Sequence, residues 1–307
     1  MSLPASFKNL KLPVVSAPMF LVSGEQLVIE ACNNGVVGTF PALNQRTTEG
    51  FRDWVIKIKA SLKPDAAPFG VNLIVHKSNP RLQEDLKVCI EQKVPLIITS
   101  LGAVSEVVEA VHSYGGIVFH DVTTLRHAQK AAEAGVDGLI AVCAGAGGHA
   151  GRMNPFAFVG QLREFFHKTI LLAGALGRGD DVLAAQAMGA DLAYMGTRFI
   201  ATKESMAQEE YKQMLLKAGS EDIIYTPAVS GIPASFMKES LEKAGILDKI
   251  LKGEVHEGEK LSLGDEAKAW KNVWSAGHGV NTIHDVPTTA ELITRLEKEY
   301  KQAKSRI

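Results

Sequence analysis

The residues best placed to do chemistry lie between Asp137 and Gly151. Gly138-Leu139-Ile140-Ala141-Val142-Cys143 is an apolar run, the pattern of a strand buried on both faces. After it come Gly145, Gly147, Gly148 and Gly151, with His149 the one ionisable side chain among them. Glycine lets a backbone turn sharply or approach a ligand closely. A histidine where a buried strand meets solvent can exchange a proton near neutral pH, which puts general acid–base catalysis within its reach. The same stretch also reads as a plain glycine-rich loop with an incidental histidine. The elements that position it must decide between the two.

A chain of 307 residues is long enough for one large α/β domain or two smaller ones. With 46% hydrophobic and 22% charged residues it has the composition of a well-cored globular protein. A net charge of -1 favours neither nucleic acid nor an anionic membrane as partner. No apolar run approaches the roughly 18 residues that span a bilayer, and the first residues lack the apolar core of a signal peptide. Cys32, Cys89 and Cys143 are odd in number and widely spaced. That argues against a disulfide framework and for a reducing, cytoplasmic location. No metal-ligand spacing is present.

Short apolar runs at 14–19, 36–40, 69–74, 96–100, 117–121, 138–143, 170–174 and 192–196 read as eight strands. Stretches with helical spacing separate them, for example Phe51, Trp54, Val55 and Ile58 on one face. Regular βα alternation means a parallel sheet with right-handed crossovers, and eight units is the count that closes a (β/α)8 TIM barrel. A doubly wound open sheet is the competing architecture. Residues 1–200 and 271–307 are expected to form the barrel. Residues 201–270, with helical stretches at 204–218, 235–244 and 266–274 and no clear strand, are expected to be a small helical insertion covering the active site.

In such a barrel, chemistry sits at the C-terminal ends of the strands. The seventh and eighth strands both end in glycine-rich loops, around Gly174-Ala175 and Gly196-Thr197. Loops at these two places form the usual phosphate site of the fold. Backbone N–H groups and the Thr197 hydroxyl can hold a phosphate without a cationic side chain. Blander readings stand beside these. Asn72 reads equally as a turn residue, His120 as a core hydrogen-bonding group and Cys143 as a small buried apolar residue. Met19 reads as core, or as cover for a flat ligand. His112, His127 and His167 read as surface residues.

The chain resembles the nitronate monooxygenases, formerly called 2-nitropropane dioxygenases. The resemblance rests on Ala17-Pro18-Met19, Gly70-Val71-Asn72, Gly147-Gly148-His149-Ala150-Gly151, Ala173-Gly174, Gly189-Ala190-Asp191, Met195-Gly196-Thr197-Arg198-Phe199 and Trp274-Ser275-Ala276-Gly277. It implies an FMN-dependent (β/α)8 barrel with an inserted helical domain. It also implies that Ala17, Pro18, Met19, Asn72, Gly147, Gly148, Gly174, Ala175, Met195, Gly196, Thr197, Ala276 and Gly277 bind FMN. Asn72 would touch the flavin ring, and Gly174, Gly196 and Thr197 would hold the phosphate. His149 would lie beside the flavin as base or substrate-binding group.

The implied reaction is oxidation of alkyl nitronates, or nitroalkanes, by O2 to a carbonyl compound and nitrite. Relatives on the same scaffold are FMN-dependent NAD(P)H:quinone and enoyl reductases, so these are the alternative activity. The expected partners are a small-molecule substrate and a second copy of the chain. Three places depart from family patterns: Val142 stands where one branch has glutamine, Asp121 where another has lysine, and His278 follows Ala276-Gly277. His278 is expected either to tune the flavin or to face solvent.

Overall fold

The computed structural model describes residues 3–76, 78–100, 102, 105–254 and 273–306. Six strands come first: β1 (Val14–Ser16), β2 (Val37–Pro41), β3 (Phe69–Ile74), β4 (Leu96–Ser100), β5 (Ile117–Val122) and β6 (Gly138–Val142). A two-residue β7 (Gly148–His149) precedes β8 (Thr169–Ala173) and β9 (Leu192–Met195). All of these except β7 form a closed barrel in the order β1-β2-β3-β4-β5-β6-β8-β9. Val15 completes the ring, pairing with Val37 on one side and Tyr194 on the other. The fold is the (β/α)8 barrel that the alternation predicts.

Helices α1 (Glu25–Asn33), α2 (Thr48–Ser61), α3 (Leu82–Glu91), α4 (Ser105–His112), α5 (Leu125–Glu133), α6 (Pro155–Phe165) and α7 (Gly179–Ala187) return the chain between strands. Their starts are written locally. The side chains of Thr47, Thr124 and Asn154 each accept a hydrogen bond from a first-turn N–H, and Pro155 sets the first residue of α6. The last barrel helix is C-terminal, Thr289–Lys304, and begins with a Thr288–Glu291 capping box. Its Leu292, Ile293 and Leu296 pack with Leu27 of α1 and Val182 of α7.

Side-chain alternation divides the core in two. Outward residues such as Val71, Ile97 and Val118 pack under the helices. Inward residues such as Val37, Ile98, Ile140 and Leu171 fill the barrel. Its lower end is plugged by Phe7, whose ring centroid lies 5.6 Å from that of Phe119. Among the described residues the upper end, at the strand C-termini, opens into a cavity. Asp191, buried between α6 and β8, accepts from Arg163 Nη2 and from the Ile170 N–H. The Gly189-Ala190-Asp191 segment therefore serves the barrel wall rather than the site.

The segment after the barrel departs from expectation. A short α8 (Thr197–Ile200) leads to α9 (Glu209–Lys217). Two strands follow, β10 (Ile223–Thr226) and β11 (Ala234–Met237), and then α10 (Lys238–Lys243) and α11 (Leu247–Leu251). β10 and β11 form an antiparallel hairpin, and β7 pairs with β11, Ala234 opposite His149 and Ser235 opposite Gly148. A segment expected to hold no clear strand thus supplies two strands of a three-stranded sheet with part of the glycine loop, and residues 235–237, expected to be helical, lie in β11. Strands this short carry little periodicity, and their pairing partner is remote in sequence. The helical stretch expected at 266–274 lies almost wholly outside the described residues.

Candidate active site

A cavity of about 1890 Å³ opens at the C-terminal ends of the strands. The expected site residues line it, His149 and Asn72 included, with two exceptions. Met195 points outward from β9 into the apolar cluster under the helices, and Ala276 is buried against Tyr211 and Val280. Strand alternation explains Met195, because its neighbour Tyr194 takes the inward position.

The cavity floor is a hydrogen-bonded row on inward strand positions. Asn72 Nδ2 donates to the Ile98 carbonyl (3.2 Å) and to Ser100 Oγ (2.8 Å), and Ser100 Oγ donates to Asp121 Oδ2 (2.5 Å). A carbonyl can only accept, so the amino end of Asn72 must face Ile98. That leaves Asn72 Oδ1 as the amide's remaining acceptor. Burial raises the Asp121 carboxyl to about 6, against the opposing hydrogen bond from Ser100. Asp121 Oδ1 is closed off and has no hydrogen-bond partner among the described residues. Tyr194, whose phenol is pushed well up by burial and then by the Asp121 charge, completes this polar layer.

Backbone contacts join the loops around the cavity. The Gly145 carbonyl accepts from the N–H groups of Ala175 and His278, at 3.1 and 2.9 Å, and the Gly277 N–H donates to Thr197 Oγ1 at 2.9 Å. The approach is closest at Gly277, where a Cβ would lie 2.4 Å from Gly145 O. Gly174 has φ 134, and a Cβ there would lie 2.8 Å from Ala144 O. Both positions need glycine. Ala175 itself holds a left-handed φ of 58.

His149 does not hang from the end of β6. It sits on β7, exposed, with Nε2 3.2 Å from Ser230 Oγ on the β10–β11 turn. The Tyr225 hydroxyl donates to the Ala150 carbonyl, and the Arg152 guanidinium lies 5.4 Å from the Tyr225 ring centre. The hairpin thus sets where His149 stands.

Other histidines and the cysteine fall to their blander readings. His120 is buried with Nδ1 2.7 Å from Thr99 Oγ1, and burial, then the charge of His127, lowers it to about 4. Burial pushes the Cys143 thiol up to about 12, so no thiolate is available there. His278 is exposed and does not line the cavity, His112 and His167 are on the surface, and His127, though exposed, lies with His120 along the cavity lining. Sequence reasoning singled out Asp121 only as a departure from a family pattern and did not link it to Ser100. Two-residue alternation from Ile98 and Phe119 would have turned both inward. Ser230 and Tyr225 carry no local signal at all.

Barrels of this architecture do their chemistry where this cavity lies, which places the protein among the (β/α)8 enzymes. The chain belongs to the nitronate monooxygenase family, which it matches over residues 2–299, and it is an oxidoreductase. The nitronate monooxygenase of Paraburkholderia phytofirmans is 26% identical over 95% of this chain and 93% of its own. Two solved structures share the fold. The nitroalkane oxidase of Streptomyces ansochromogenes has a TM-score of 0.81 at 23% identity, covering 99% of both chains. FabK from Thermotoga maritima has 0.80 at 24%, covering 97% of this chain and 95% of that one.

Proposed function

We propose that the protein binds FMN in this cavity and oxidises alkyl nitronates, or nitroalkanes, by O2 to a carbonyl compound and nitrite. The observation that carries the reading is His149, held by β11 and Ser230 at the wall of a cavity that the barrel loops also line. The residues present suit FMN. The Asn72 acceptor lies on the floor, suited to a ring N–H, and Met19 comes within 3.6 Å of where a Cβ on Gly196 would stand, which provides an apolar wall for a flat ring. Backbone around Gly174-Ala175 and Gly196-Thr197, with the Thr197 hydroxyl proton, would hold a phosphate.

FMN, when bound, supplies the redox chemistry, uptake of electrons from the substrate and their return to dioxygen. The chain's own residues do the rest. A neutral His149 imidazole removes the α-proton of a nitroalkane, whose charge moves to the nitro oxygens. With preformed nitronate, a His149 N–H donates to those oxygens instead. Residues 201–254 act as a cover that carries the hairpin and, through it, places His149. Support for that role is the β11–β7 pairing.

The test is an anaerobic flavin-reduction screen with ethyl nitronate, NADH and NADPH on the purified protein reconstituted with FMN. Fast bleaching by ethyl nitronate supports the proposal. Fast bleaching by NADH or NADPH alone would assign a quinone or enoyl reductase instead, and a protein that binds no flavin would overturn both.

A further inference from the structure

Phe20, Leu21, Met206, Tyr225 and Ile232 are large apolar side chains, each at least 36% exposed, and all five line the cavity. Scattered exposed apolar residues are ordinary, but their concentration at one opening marks a binding surface. The rim is also built, not incidental. Leu21 holds a left-handed φ of 59, rare for a leucine. Asn44 clamps it: Oδ1 accepts from the Leu21 N–H (2.9 Å), and Nδ2 donates to the carbonyls of Met19 (3.0 Å) and Ser23 (2.8 Å). Such strain persists where the surroundings over-determine it, typically at ligand sites. Met206 is tied to the same wall, its N–H donating to the Val22 carbonyl. Ile232 and Tyr225 come from the hairpin that carries Ser230, the partner of His149.

The cavity, about 1890 Å³, exceeds the roughly 300–1,000 Å³ of ordinary small-molecule pockets. A flavin and a nitro group leave much of it unfilled.

We propose that this rim seats the alkyl tail of the substrate, so that the protein prefers medium- to long-chain alkyl nitronates over short ones. The inference rests on the nitronate reading above and names its substrate class. Contact between tail and rim adds affinity with each methylene removed from water. The gain is about two- to four-fold per methylene until the chain outgrows the rim.

The experiment compares kcat/KM for the nitronates of nitroethane, 1-nitrohexane and 1-nitrodecane on the flavin-loaded protein. A steep rise with chain length is expected. Leu21→Asn, which tolerates the left-handed backbone, and Met206→Ser should each pull the decyl-to-ethyl ratio down towards one. Using that ratio removes any common loss from misfolding. Anaerobic calorimetric titration of nitroethane and 1-nitrodecane into the same protein gives a readout without turnover. If no nitronate is oxidised, the nitronate reading fails, yet tighter binding of 1-nitrodecane still upholds the rim as a tail site. Equal kcat/KM across the series, or equal affinities in the titration, would overturn the proposal.

Discussion

The floor and the rim of the cavity are made by different means. The floor is rigid: Asn72, Ser100, Asp121 and Tyr194 occupy inward positions on adjacent or closing barrel strands, and ladder pairing fixes their spacing. The rim is assembled from loops and an inserted hairpin, and His149, the base in the proposed reaction, stands where β7 meets β11. A floor of this kind can bind and orient, because Asn72, Ser100 and Asp121 are hydrogen-bonded to each other. The rim can vary in sequence and reach without disturbing the barrel. Cofactor retention should therefore follow the floor and neighbouring loops, while turnover and substrate choice follow the rim.

His149→Ala offers the sharpest separation of the two. Turnover of neutral nitroalkane should fall about 10²–10⁴-fold, and turnover of preformed nitronate should fall less, while the flavin absorbance of the purified protein stays. Loss of flavin in this variant would make His149 part of the cofactor site and erase the distinction. Thr197→Glu tests the opposite side. A carboxylate about 4 Å from a bound phosphate costs on the order of 4 kcal/mol at an intermediate dielectric, so flavin affinity should drop about a thousand-fold. Dialysis followed by fluorescence of the released flavin measures it.

Gly277→Ala probes the seam between the regions. Its Cβ would stand 2.4 Å from Gly145 O, and backbone must move to admit it. A loss of about 1–3 kcal/mol of stability is expected, read as a lower thermal midpoint, with His149 and the Gly174 and Gly196 loops displaced together.

Asp121→Asn tests the floor by pH. Its carboxyl is raised to about 6 in the folded protein, so the fold holds the proton more tightly than the unfolded chain does. This contribution to stability is present below the unfolded value near 4 and is lost as pH rises through about 6. The difference in unfolding free energy between parent and variant should fall across that window and be flat above it. A flat difference throughout would mean the floor is wetter than its geometry implies. Ser230→Ala should have the smallest effect, a few-fold loss in kcat from one hydrogen bond, with flavin binding intact.

The barrel was legible because each strand is covered on both faces and so reads as a short continuous apolar run between helical stretches. Gly174 and Gly196-Thr197 were legible because strand ends locate them once the strands are counted. Met195 was misplaced by one residue of alternation, since Tyr194 takes the inward turn. Ala276 was misplaced because its burial depends on Tyr211, far away in sequence. The strands of the hairpin were missed because Ile223-Ile224-Tyr225-Thr226 and Ala234-Ser235-Phe236-Met237 are short and mixed in character, and only their pairing stabilises them.

Local interactions are written in the sequence: strand burial and the Thr47, Thr124 and Thr288 caps. From these the sequence by itself determined the barrel and the end of it where chemistry occurs. Tertiary structure alone decided that Asp121 meets Ser100, that Asn44 clamps Leu21, and that the hairpin holds His149 at the cavity wall. Each of those contacts joins residues distant along the chain, and its free energy exists only once the intervening chain has folded.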